Sequence, residues 1–143
     1  MRVWRLTKPG HAPGLDGEGA RLWGGRWNSP GVPMIYAATS LALAALEVLV
    51  HLPPALRRPG GLPDLTAVAL DLPDREIAET DPATDDRVHG DSWAASGSSL
   101  ALLVPSRVIR LEKNILINPR HRQIQLVLVA LQEQFVFDDR LGR

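Results

Sequence analysis

Met34 to Pro54 reads MIYAATSLALAALEVLVHLPP, and the change of pattern inside it decides the fold. Met34-Ile35-Tyr36-Ala37-Ala38 is a short apolar run carrying Ile and Tyr, a strand signal. Ser40 follows at a helix N-cap position, where its hydroxyl can accept a bond from an unpaired backbone N–H of the first turn. From Leu41 to Leu52 the chain is apolar apart from Glu47 and His51, a run longer than a strand needs, and Pro53-Pro54 ends it. A strand feeding directly into a helix repeats nowhere else so clearly. On either side lie short strand signals: Arg2 to Leu6, Leu65 to Leu72, Leu100 to Val104, Asn114 to Ile117 and Phe135-Val136-Phe137. Ile124 to Leu131 fits either a buried strand or a helix. Several strands with one clear helix make an α+β chain, a single compact domain over residues 1–143 with mixed or antiparallel sheets and few helices.

Two segments resist assignment. Lys8 to Gly25 is crowded with Gly and Pro and reads as a long specialised loop, a candidate ligand clamp. Asp71 to Asp91 is rich in Asp and Glu, offset only by Arg75 and Arg87, and reads as a solvated excursion. The 16 basic and 16 acidic residues cancel, which argues against direct nucleic-acid binding. With 0 Cys there is no disulfide or thiolate chemistry. The N-terminus lacks a signal-peptide core, and Leu41 to Leu52 is too short to cross a bilayer, so the expectation is a soluble cytoplasmic protein. His11, His51, His89 and His121 lack metal-ligand spacing, so no metal is expected. Gly17-Glu18-Gly19 is half a dinucleotide fingerprint leading into no evident helix.

The helix carries the most informative residue. Glu47 lies in a stretch apolar on every face, which predicts a buried helix. A buried carboxylate must be paired, protonated or set in a cleft wall. Pairing with His51, one turn on, is the structural alternative. Arg26 follows Gly24-Gly25, where backbone can approach a ligand and a guanidinium fork suits a diphosphate, although such arginines are often plain surface residues. Tyr36 can stack on a flat heteroaromatic ring or simply fill core. Ser106, after Val104-Pro105, can donate to a carboxylate or substrate oxygen or serve only as a turn residue.

Taken in order, Gly17-Glu18-Gly19-Ala20, Gly24-Gly25-Arg26-Trp27-Asn28-Ser29-Pro30-Gly31, Ile35-Tyr36-Ala37, Leu46-Glu47, Val104-Pro105-Ser106, Asn118-Pro119-Arg120-His121 and Phe137-Asp138-Asp139-Arg140-Leu141 resemble the RES domain of bacterial toxin–antitoxin pairs. The Arg, Glu and Ser that name the family fall on Arg26, Glu47 and Ser106. The resemblance implies a fold related to ADP-ribosyltransferase toxins and an action on NAD⁺, which is substrate and not cofactor. It implies catalytic Glu47, Arg26 and Ser106, with Arg26, Trp27, Asn28, Tyr36, His51 and Asn118 binding substrate. The chemistry suits one carboxylate. Ordinary glycosidases need a second carboxyl to protonate the leaving group, whereas the pyridinium of NAD⁺ departs as neutral nicotinamide. Three activities stay open: cleavage of NAD⁺ by hydrolysis or by phosphorolysis with inorganic phosphate, ADP-ribose transfer to a target protein through the same site, or an inactive module acting only in a complex. The implied partner is an antitoxin with a helix-turn-helix DNA-binding region, and homodimerisation within that complex is a further implication.

Overall fold

A computed structural model describes residues 1–80 and 85–143. Its frame is one mixed seven-stranded sheet formed by β1 (Arg2–Thr7), β2 (Ile35–Ala38), β3 (Leu65–Asp71), β4 (Ile77–Glu79), β5 (Ala101–Pro105), β6 (Lys113–Ile117) and β7 (Leu128–Phe135) in the order β4-β5-β6-β2-β1-β3-β7. Only the β4–β5 pair is parallel. Among the described residues three α-helices complete it: α1 (Glu18–Trp23), α2 (Leu41–His51) and α3 (Asp86–Ser96).

Alternation along the strands divides their side chains between two faces, as a period of two requires. Ile35, Ile115 and Ile117 join Val3, Val68 and Leu70 in one apolar cluster. The intervening Tyr36, Leu102, Val104 and Leu116 pack with Trp27, Met34 and Trp93 in another. Ala38 is covered by Leu43 and Ala44 of α2, beside Trp4 and Leu6 of β1. The cap at Ser40 forms as its chemistry predicts, Oγ accepting from the Leu43 amide at 3.1 Å.

Four readings need correction. α2 is not buried all round: only Leu43 and Ala44 are buried, while Leu46 and Val50 are 36% and 50% exposed, because the helix lies on the sheet by one side. The Lys8 to Gly25 loop contains α1, which begins after Gly17 and stops at Gly24, both at positive φ. The Gly17-Glu18-Gly19 run therefore does open a helix. The acidic segment holds β4 and α3, the latter capped by Asp85 accepting from the Val88 amide. Residues 81–84 of that segment lie outside the described ones. In the last part of the chain, Ile124–Leu126 forms a single 3-10 turn and the closing strand is Leu128–Phe135, so Val136 and Phe137 fall beyond it. No described helix is long and apolar enough to cross a membrane.

Gly90 of α3 shows how tightly that helix is seated. A Cβ there would lie 1.8 Å from the Trp27 carbonyl oxygen, so only glycine permits the approach. Asp91, next in line, accepts from both the backbone amide and the hydroxyl of Ser29. These contacts tie α3 to the Gly24–Gly31 loop.

Candidate active site

Glu47 faces a cavity of about 580 Å³ between β1, β2, α1, α2 and the turn after β5. That volume lies inside the roughly 300–1,000 Å³ range of small-molecule sites. Mostly apolar walls carry a few convergent polar groups, the composition that fixes a ligand's orientation while excluding water.

The carboxylate is held from two strands away. Its Oε1 accepts from the Ser106 hydroxyl at 2.8 Å and from Asn114 Nδ2 at 2.7 Å. Ser106 is itself 1% exposed and rigidly set, because its Oγ accepts the amides of Val108 and Ile109 at 3.1 and 3.0 Å. One hydroxyl therefore both folds the turn after β5 and orients the acid. Both printed bonds fall on Oε1, and Oε2 has no bond among the described residues. The paired-carboxylate expectation holds, with Ser106 and Asn114 as the partners. His51 does not supply the pair: its Nδ1 lies 2.7 Å from the Glu47 backbone carbonyl oxygen, and its ring lines the cavity rim.

Tyr36 borders the same cavity from β2. Its hydroxyl donates to Asn28 Oδ1 at 2.6 Å and accepts from the Trp27 amide at 3.0 Å. Burial pushes its pKa up to about 12, opposed by the bond from the Trp27 amide. Gly25 is glycine for this residue's sake: a Cβ would come within 2.7 Å of the Tyr36 hydroxyl. The glycine therefore makes room for the tyrosine, and with Gly24 it also lines the cavity.

Arg26 and Trp27 also line the cavity. Trp27 is 3% exposed and its ring meets His89 edge-on. Asn28 and Asn118 do not line it. Asn28 is fully buried, its Nδ2 donating to the carbonyls of Ala20 and Val32, which locks the loop. Asn118 donates to the Ala94 carbonyl and accepts from the Arg120 amide, fastening α3 to the end of β6. Both are structural polar groups satisfied inside the protein.

Three residues escaped the sequence reading. Asn114 looks like an ordinary β6 residue until the register places it opposite Ala38 and Val104, beside Glu47. Arg107 follows Ser106 and projects to the cavity mouth, where it grips Asp86. Arg5 on β1 lines the cavity with Nε and Nη1 buried and unbonded, and burial brings its pKa down to about 10 against the pull of Asp16.

The family follows from the whole chain. A model of the RES domain matches residues 2–138. The chain belongs to the RES-domain family. Among curated RES relatives, a protein named Toxin Res from Yersinia enterocolitica is 38% identical across 99% of each chain. Another, named Prs ADP-ribosylating toxin, from a Sphingobium species, is 35% identical over 98% of this chain and 96% of its own. The toxin in the crystal structure of the M. tuberculosis MbcT–MbcA toxin–antitoxin complex shares the fold, with a TM-score of 0.71 at 17% identity over 94% of this chain and 83% of that one.

Proposed function

We propose that this RES protein is the toxin of a toxin–antitoxin pair and cleaves the nicotinamide–ribose bond of NAD⁺ at Glu47. The observation that carries the reading is a single carboxylate, oriented by Ser106 and Asn114, facing an apolar-walled cavity with arginine at its edge.

In this reading the nicotinamide ribose lies against Glu47. The free Oε2 accepts a ribose hydroxyl, and the carboxylate stabilises positive charge growing at the anomeric carbon, an effect strongest where water is excluded. The C–N bond breaks with its electron pair moving to the pyridinium nitrogen. Neutral nicotinamide leaves without protonation, so no second acid is needed. Water then adds to the ribosyl cation and loses a proton, or phosphate adds in its place. Tyr36 presents its ring to the nicotinamide, while its hydroxyl stays engaged with Asn28 and Trp27. Arg26 and the buried Arg5 supply cationic N–H donors for the diphosphate.

Transfer of ADP-ribose to a protein is the second reading, favoured by the name of the Sphingobium relative. Purified protein mixed with NAD⁺ will release nicotinamide, and the products formed with and without inorganic phosphate separate hydrolysis from phosphorolysis. Label from the adenine half of NAD⁺ appearing on protein would instead identify transfer. Intact NAD⁺ beside folded protein would reject all of these. In cells, expression alone will arrest growth, and co-expression with the cognate antitoxin will relieve it; unaffected cells holding soluble protein would contradict toxicity.

A further inference from the structure

Beyond the Glu47 cavity, and sharing Arg26, His51 and Arg107 with it, lies a second, more open polar recess of about 570 Å³. Its lining holds three arginines, Arg26, Arg87 and Arg107, against two carboxylates, Asp85 and Asp86, with His51 beside them. Arg107 grips Asp86 through Nε at 3.3 Å and Nη2 at 3.0 and 2.8 Å, and Arg26 Nη1 lies 3.7 Å from the same carboxylate. Arg87 spends its Nε and Nη2 on the Gly25 carbonyl at 3.3 and 3.2 Å.

The exposures tell which groups face outward. The Asp86 side chain is 9% exposed, whereas those of Arg26 and Arg107 are 54% and 48% exposed. One carboxylate lies beneath two guanidinium groups that present N–H donors to the open recess. Arg26 has no hydrogen bond within 3.5 Å among the described residues, so its long ion pair leaves its donors available. Asp85 is engaged as the α3 cap, accepting from the Val88 amide. The recess therefore has more cationic donors than internal anions to satisfy them.

We propose that Arg26 and Arg107 form a phosphoryl-anion site at the mouth of the Glu47 cavity, with Asp86 as the internal counter-ion that moderates its affinity. Paired guanidiniums match the tetrahedral oxygens of a phosphoryl group through charge-assisted, often bidentate bonds. Asp86 holds the Nε and Nη2 edge of Arg107, which is the edge best suited to such a contact. A bound dianion competes with it for that edge and is repelled by its charge. The occupant is either the dinucleotide's own diphosphate or the phosphoryl group of a second reactant approaching Glu47. The site rests on the proposed NAD⁺ reading for its biological occupant but not for its chemistry.

The test measures binding of inorganic pyrophosphate by calorimetry in the E47Q background, where turnover does not intrude. Arg107→Gln will weaken binding about tenfold or more, and Arg26→Gln will weaken it similarly. Asp86→Asn, which keeps the shape and removes the charge, will tighten it about tenfold. Thermal melts identify variants that fold, and the two arginine variants carry the test if D86N does not. Pyrophosphate displaced by NAD⁺ assigns the site to the dinucleotide's diphosphate; simultaneous binding assigns it to a second reactant. Affinity unchanged in R107Q and R26Q, or unchanged or weakened in a folded D86N, overturns the proposal. Because binding is read without catalysis, a protein that binds pyrophosphate as described yet leaves NAD⁺ intact would refute only the NAD⁺ reading.

Discussion

Replacing Ser106 by alanine will weaken the fold and the reaction together, because one oxygen serves both. The hydroxyl makes three hydrogen bonds, donating to Glu47 and accepting the amides of Val108 and Ile109. Ser106 is 1% exposed, so water will not readily replace them. At a net value near 1 kcal/mol each, their loss amounts to about 3 kcal/mol. A chain of 143 residues unfolds with an entropy of roughly 0.3 kcal/mol/K, so Tm will fall by about 10 °C. Glu47 would keep only the bond from Asn114, and an acid free to drift by about 1 Å can lose up to about a hundredfold in rate. Calorimetric melting gives the first quantity and nicotinamide release at a temperature where the variant is folded gives the second. A Tm within about 2 °C of wild type, with turnover unchanged, would refute the dual role assigned to Ser106.

Gly90→Ala forces a Cβ against the Trp27 carbonyl and will destabilise the protein by about 3 kcal/mol or more, seen as an earlier urea midpoint; an unaltered midpoint would show that α3 does not pack as described. Tyr36 is the 1 tyrosine in the chain, so alkaline difference absorbance reads it alone. Its phenolate will appear near pH 12, and ionisation at the ordinary value near pH 10 would deny its burial. Because the folded-state value is raised, the stability that Tyr36 contributes is intact below about pH 10 and is lost as pH rises toward 12.

Much of the frame was legible because local chemistry and tertiary packing agree there. The Ser40 cap, the proline stop after Leu52 and the strands β1, β2, β3, β5 and β6 appear where their patterns place them. Arg26, Tyr36, Glu47 and His51 line one cavity, and Ser106 reaches it through its bond to Glu47. The failures share a cause. α3 carries few apolar residues, and what seats it is tertiary: Trp93 in the core, Gly90 against Trp27 and Asp91 on Ser29. α1 is six residues long, bounded by glycines that read equally well as loop. Asn28 and Asn118 look like ligands because buried and substrate-binding amides have the same composition; only their bonding shows them occupied within the protein. Asn114 and Arg107 become visible only when strand register brings β6 and its preceding turn beside α2 and α3.

The central claim is that the Glu47 carboxylate drives scission of NAD⁺. Glu47→Gln tests it most directly, since the remaining amide oxygen can still accept from Ser106 and Asn114 while the charge is gone. Nicotinamide release will fall by about 10²–10³, with Tm held near the wild-type value. A folded E47Q protein that releases nicotinamide at the wild-type rate would contradict the account.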